Sequence, residues 1–181
     1  MKRSLKLFAV GIVFSGVFCF SQCRKDNPKP DNPYGLPNAT QWGADVFACL
    51  INGQKYIAKR RSGFLDGALI KDDTLYVTGA LSVAFHYTEI GIYVKQFLYK
   101  NENYTIDGAN VGVVFFTDST CQGISSHTTA SFSKTGNIVV TKFDTTRRIV
   151  SGTFDGLALP IPGCDTLHVT NGRFDYHYYY N

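Results

Sequence analysis

His168, Asp175 and His177 carry the sharpest chemical suggestion in this sequence, and they flank an Asn171-Gly172 pair. Asn-Gly is the strongest short hairpin signal, because a type I′ turn needs positive φ at both central residues. Pairing Thr170 with Arg173 places His168 opposite Asp175, with His177 two residues along on the same face. Two imidazoles and a carboxylate so arranged can supply three ligands to a zinc-sized ion. The same register sets Val169 and Leu167 against Phe174 and Tyr176 on the other face. Strand alternation alone therefore also accounts for a polar face turned to water. His86 and His127 have no partner in the pattern.

The thiols come next. Cys49 alternates with Phe47 and Ile51 and reads as a small buried hydrophobe. Cys121 and Cys164 sit in polar, glycine-containing stretches. Three single bridges can be drawn among these three, and an oxidising compartment favours Cys121–Cys164. Signatures of catalysis are missing: no nucleophile elbow, no HExxH, no CxxC and no phosphate loop. No catalytic residue is assigned and no cofactor is expected. Abundant aromatics, among them Tyr87, Tyr93, Tyr99, Tyr104 and Tyr178 to Tyr180, would serve carbohydrate or peptide binding if exposed. Strands and cores also collect such residues.

These groups need a scaffold, and the composition says which. The chain has 181 residues, 44% apolar, 14% aromatic and 18% charged, which excludes a disordered chain. Glutamate occurs only at 89 and 102, a poor supply for surface helices. From residue 38 onward the apolar pattern has period two. It predicts strands at Asp45–Ile51, Lys55–Ala58, Thr74–Val83, Gly91–Leu98, Val111–Thr117, Thr128–Phe132, Ile138–Phe143, Ile149–Leu159, Thr166–Thr170 and Arg173–Tyr179. Asn52-Gly53, Asp72-Asp73 and Asp107-Gly108 mark turns between them. A second hairpin is expected from Thr128 to Lys142 around Lys134-Thr135-Gly136, with Phe132 and Ile138 facing inward. The expected fold is all-β: a single antiparallel β-sandwich or a lipocalin-like barrel of about ten strands.

Ahead of that domain stands an address. Lys2, Arg3 and Lys6 precede a 14-residue apolar run from Leu7 to Phe20. It is too short to span a bilayer, which takes about 20 residues, and suits a secretory leader. Phe20-Ser21-Gln22-Cys23 then resembles the lipobox of bacterial lipoproteins, which implies a diacylglycerol thioether at Cys23. Arg24 to Pro37 holds four prolines and no apolar period, and reads as a tether. Residues 1–22 are thus expected as leader, 23–37 as lipidated tether and 38–181 as the β domain. Three of the 18 basic residues lie in the leader, leaving 15 against 14 acidic ones, so the mature chain is near +1. That balance gives no reason to expect nucleic acid as a partner.

A wider likeness covers most of residues 36–176. Leu36-Pro37-Asn38-Ala39-Thr40-Gln41-Trp42-Gly43, Phe47 to Tyr56, Ile149 to Phe154 and Asp165 to Asp175 resemble the opening and closing motifs of an uncharacterised lipoprotein family of the Bacteroidota. Trp42, Ala48 and Tyr56 depart from that pattern, which has Thr, Gly and Trp there. The resemblance implies an envelope location and a β fold, and no catalytic residue. The resulting expectation is a protein lipid-anchored to the outer membrane and non-enzymatic, binding an envelope protein or glycan. The alternatives are a lipocalin-like carrier of a small apolar ligand and a divergent envelope hydrolase.

Overall fold

The computed structural model describes residues 34–58, 66–83, 86–97, 101–117, 129–133, 135–160 and 165–181. The leader, Cys23, most of the tether, Cys121, Cys164 and His127 lie outside them. Every regular element among the described residues is a strand, as the period-two pattern requires. They are β1 (Val46–Ile51), β2 (Gln54–Ile57), β3 (Gly67–Lys71), β4 (Thr74–Val83), β5 (His86–Val94), β6 (Glu102–Thr105), β7 (Val111–Thr117), β8 (Thr129–Phe132), β9 (Asn137–Asp144), β10 (Ile149–Asp155), β11 (Leu157–Leu159) and β12 (Leu167–Tyr180).

All twelve form one sheet, ordered β6-β9-β10-β12-β3-β4-β5-β7-β8, with β1 and β11 also on β12 and β2 on β1. The path curls most of the way into a barrel around a single main core. One pairing breaks the antiparallel expectation: Tyr178–Tyr180 runs parallel to Ala68–Ile70. The strands β3 and β6 were not anticipated. Gly67-Ala68-Leu69-Ile70 has no clean alternation, and Glu102-Asn103-Tyr104-Thr105 is a polar edge. The long run Ile149–Leu159 divides at Gly156, whose φ is +69°.

The Asn171-Gly172 hairpin does not form. Residues 167–180 are one continuous 14-residue strand. Only Asn171 takes a positive φ, 54°, whereas a type I′ turn requires it of both residues. On the β1 side Ala48 pairs with Arg173 and Leu50 with Thr170, so Cys49 faces two residues of β12. Asn171-Gly172 is therefore a β-bulge, which raises the local twist without ending the strand. Gly172 serves packing: a Cβ there would stand 2.2 Å from the Phe154 ring. The Thr128–Lys142 hairpin is also absent. Here β8 pairs with β7 (Phe132 with Val114), while β9 pairs with β10 and β6. Phe132 is 54% exposed instead of facing inward.

Turn chemistry succeeds elsewhere. Asn52-Gly53 (φ 49° and 77°) closes the β1–β2 hairpin, and Asp72-Asp73 (47° and 54°) closes β3–β4. Inside, aromatic rings meet one another: Phe47 and Phe154 at 5.2 Å between centroids, Phe97 and Phe143 at 5.1 Å, Phe143 and Tyr178 at 5.0 Å. The Tyr56 hydroxyl ties β2 across this core, donating to the Gly79 and Thr88 carbonyls at 2.8 and 2.9 Å. A Gly172→Ala chain is expected to lose roughly 1–3 kcal/mol through overpacking. Adding Phe154→Leu should restore part of that loss, as read from urea unfolding; equal losses in the single and double variants would refute the packing role.

Candidate functional site

The outer face of β10 and β12 is polar around Ser151, Thr153, Arg173 and Asp175, with Val46, Ala48 and Leu50 of β1 beside it, yet it is not open to water. Arg173 is 8% exposed and Asp175 1%. The cover is the segment Leu36 to Ala44, which crosses this face before β1 begins. We refer to it as the strap. Its first residue, Leu36, is buried in a small apolar cluster with Ala48 and Leu50, against which Val46 packs.

Asp175 holds the strap. One carboxylate oxygen accepts from the Thr40 hydroxyl at 2.6 Å, the Ala44 amide at 3.0 Å and the Trp42 amide at 3.2 Å. The other accepts from the Ser151 hydroxyl at 2.6 Å and the Gly43 amide at 2.9 Å. Three successive amides converging on one anion make a backbone nest. The turn needs Gly43 in the left-handed region (φ +78°), and a Cβ there would stand 2.2 Å from the His177 ring. The short bonds are of the charge-assisted kind, stronger than neutral ones.

Burial pushes the Asp175 carboxyl up, but Ser151, Thr40 and the Ala44 and Gly43 amides outweigh it and hold its pKa below the usual carboxylate value. Arg173 clamps the strap's other end. Its guanidinium donates to the Pro37 carbonyl at 2.7 Å and to its own strand's Asn171 carbonyl at 3.1 Å. Burial lowers the Arg173 pKa, though a guanidinium stays charged in any protein. Lys142 adds a third hold, donating to the Gln41 carbonyl at 3.1 Å.

The metal triad is not assembled. His168 pairs with Ala158 on β11, is exposed, and exchanges backbone bonds with Asn52: its amide donates to Asn52 Oδ1 and its carbonyl accepts the Asn52 amide, both at 2.8 Å. On a continuous strand it lies seven residues, or roughly 20 Å, from Asp175. His177 shares the face of Asp175 but pairs with Ile149 and lies against the strap. No group of three His, Cys, Asp or Glu among the described residues is placed to hold a metal. Asp175, with five donors on two oxygens, is committed to the strap.

Cys49 is buried and free, and burial pushes its thiol up to about 12, partly offset by Arg173. Thr145 lies exposed in the β9–β10 turn, where Asp144 accepts the Thr146 and Arg147 amides at 3.0 and 2.9 Å. Sequence reasoning missed the strap as a site, because an irregular segment has no period to detect. It is bonded to Arg173 and Asp175, more than 130 residues further along the chain. The strap uses the Trp42 amide, and the Trp42 side chain is 66% exposed. Compared with protein families, with curated proteins and with solved structures, the chain matches none.

Two outcomes are expected. In Asp175→Asn, the strap loses its charged acceptor, and stability falls by about 2 kcal/mol or more. Amide exchange at Gly43 and Ala44 should speed up with it; unchanged exchange would count against the clamp. Because the folded pKa is depressed, the carboxylate's contribution is complete above its unfolded value of about 3.9. It drains away as pH falls through the lower folded value. Acid titration of stability should therefore be shallower in Asp175→Asn than in the parent over that window. Thiol labelling is the second outcome: Cys49 should resist alkylation in the native chain at pH 8 and react on unfolding, and prompt native reaction would contradict its burial.

Proposed function

We propose that the chain is a lipid-anchored cell-envelope protein, akin to the uncharacterised Bacteroidota lipoproteins, whose β domain binds or scaffolds and does not catalyse. The observation that carries this reading is the strap. The residues that follow the proline-rich tether are clamped by Asp175, Arg173 and Lys142. A domain held by its N-terminus gains from such a clamp, because a pull on the tether meets buried charge-assisted bonds before it reaches β1. Lipidation at Cys23 supplies the anchor in this reading, and two or three acyl chains make it stable where one is marginal. No helix among the described residues is long and apolar enough to cross a membrane. The carrier alternative is disfavoured by the ring contacts that occupy the interior.

The test is detergent-phase partitioning of the full-length chain expressed in a lipoprotein-processing bacterium. The parent should enter the detergent phase, with the mature N-terminal peptide carrying acyl mass on Cys23, and Cys23→Ala should stay aqueous. Equal partitioning of the two, or an unacylated Cys23 peptide, would overturn the anchor.

A further inference from the structure

The strap does more than cover a polar face. It carries the chain's one tryptophan, Trp42, with most of the side chain in water. Tyr34, just ahead of the strap, is exposed too. Leu36, between them, turns inward to Ala48 and Leu50. The backbone on both sides of the Trp42 ring is fixed. The Gln41 carbonyl accepts from Lys142 at 3.1 Å, and the Trp42, Gly43 and Ala44 amides all donate to Asp175 at 2.9–3.2 Å. With its amide spent inward, the residue presents its ring outward from a held main chain.

The ring stacks on no aromatic neighbour among the described residues. An indole has a large apolar body and a single N–H donor. It is best placed where one end is apolar and the other wet. The headgroup level of a bilayer is such a place, and Trp and Tyr are enriched there.

We propose that Trp42, helped by Tyr34, docks the strap side of the domain into the headgroup region of the bilayer that holds its lipid anchor. The inference rests on the anchor proposed above and deepens it, by naming the surface on which the domain lies. Chain length selects this occupant. Residues 24–33 are all that lie between Cys23 and Tyr34. At about 3.1 Å per residue, a proline-rich segment of that length reaches no further than roughly 35 Å. Any bend in it brings the strap to the lipid. The other exposed rings, Tyr76, Phe132 and Tyr179, are joined to the anchor only through the folded domain. A surface tethered so closely is met at high effective concentration, so a weak contact suffices to hold the orientation. The clamp lowers the cost further, because docking then orders side chains and little backbone.

Charge does not choose the headgroup. Groups of both signs border the strap. Lys55 lies against Gly35 and Lys142 against Gln41, while Asp45 follows the strap and Asp144 stands 3.7 Å from Lys142. The contact is that of an indole with a boundary between water and hydrocarbon, which a zwitterionic lipid supplies as well as an anionic one. The clamp on Asp175 then has a second use: it fixes the direction in which the ring points, and with it the side of the domain that rests on the lipid.

Because Trp42 is the only tryptophan, fluorescence reports this one ring. The full-length chain, made in a lipoprotein-processing bacterium, is reconstituted into phosphatidylcholine vesicles with bromine on the acyl chains close to the headgroup. Trp42 emission should be blue-shifted and fall about twofold against unbrominated vesicles, as befits an indole at headgroup level. Aqueous iodide should quench it little. A second chain, Trp42→Phe with Phe132→Trp, moves the ring to β8, the end strand of the sheet order, where Phe132 is exposed. Its emission should stay at long wavelength and ignore the bromine. A Trp42 that bromine leaves untouched, or equal quenching of the two chains, would overturn the docking. Acyl mass on the Cys23 peptide of the same preparation judges the anchor separately. An acylated chain with unquenched Trp42 refutes the docking alone; an unacylated Cys23 refutes the anchor, and the quenching still decides the docking.

Discussion

A buried carboxylate cannot be left without donors, and the arrangement of the strap follows from that constraint. Asp175 lies on the middle strand of the β1–β12–β10 region, and two of its five donors are side chains while three are main-chain amides. An ionised group taken from water at this site would be prohibitive alone. The strap is thus a substitute for solvent. It brings amides that are themselves in need of acceptors, so each side satisfies the other. The geometry has a direction: only a glycine at 43 both turns the chain and leaves room for His177. The same face holds Arg173 with no carboxylate opposite it, its charge met by carbonyl oxygens. Main-chain acceptors and donors, not ion pairs, carry the polar interior of this protein.

The long strand β12 explains why this face can exist. It is the shared partner of β1, β10, β11 and β3, and it changes neighbours along its length. The bulge at Asn171-Gly172 lets one strand serve both ends. Before it, Val169 faces the core beside Ile51; after it, Phe174 faces the core beside Phe47. Without the extra residue, Arg173 and Asp175 would point into the apolar interior and Phe174 to the strap. A one-residue shift inverts a strand's two faces. Here that inversion is used once, at a fixed point, and the strap's anchors depend on it.

What could be read from the sequence divides along the range of the interaction. Period-two alternation is local, and it placed β1, β2, β4, β7, β8 and β9 within a residue or two of their observed bounds, and the start of β10. The β fold followed from it. Asn171-Gly172 failed because turn preference is also local, whereas pairing of residues 167–170 with β11 and β1 is set by chain 10 and 120 residues away. The same failure removed the imidazole–carboxylate site, since His168 met Asp175 only if the chain reversed between them. Asp175 was correctly placed on the outer face with Arg173 and His177. That it is dry could not be seen, because the strap that dries it is an irregular segment with no period to detect.

The outer surface then has a logic of its own. A sheet that closes on itself has an inside, filled here by rings, and an outside that must be polar, covered or used. One side is covered by the chain's own N-terminal segment, through bonds that involve strap backbone more than strap side chains. Past the strap, the outside carries Tyr76 and Tyr179, large rings that stay 42% and 57% exposed. Aromatics of that size are costly to leave in water, and a fold that shields one polar face with a strap has means of shielding an apolar one.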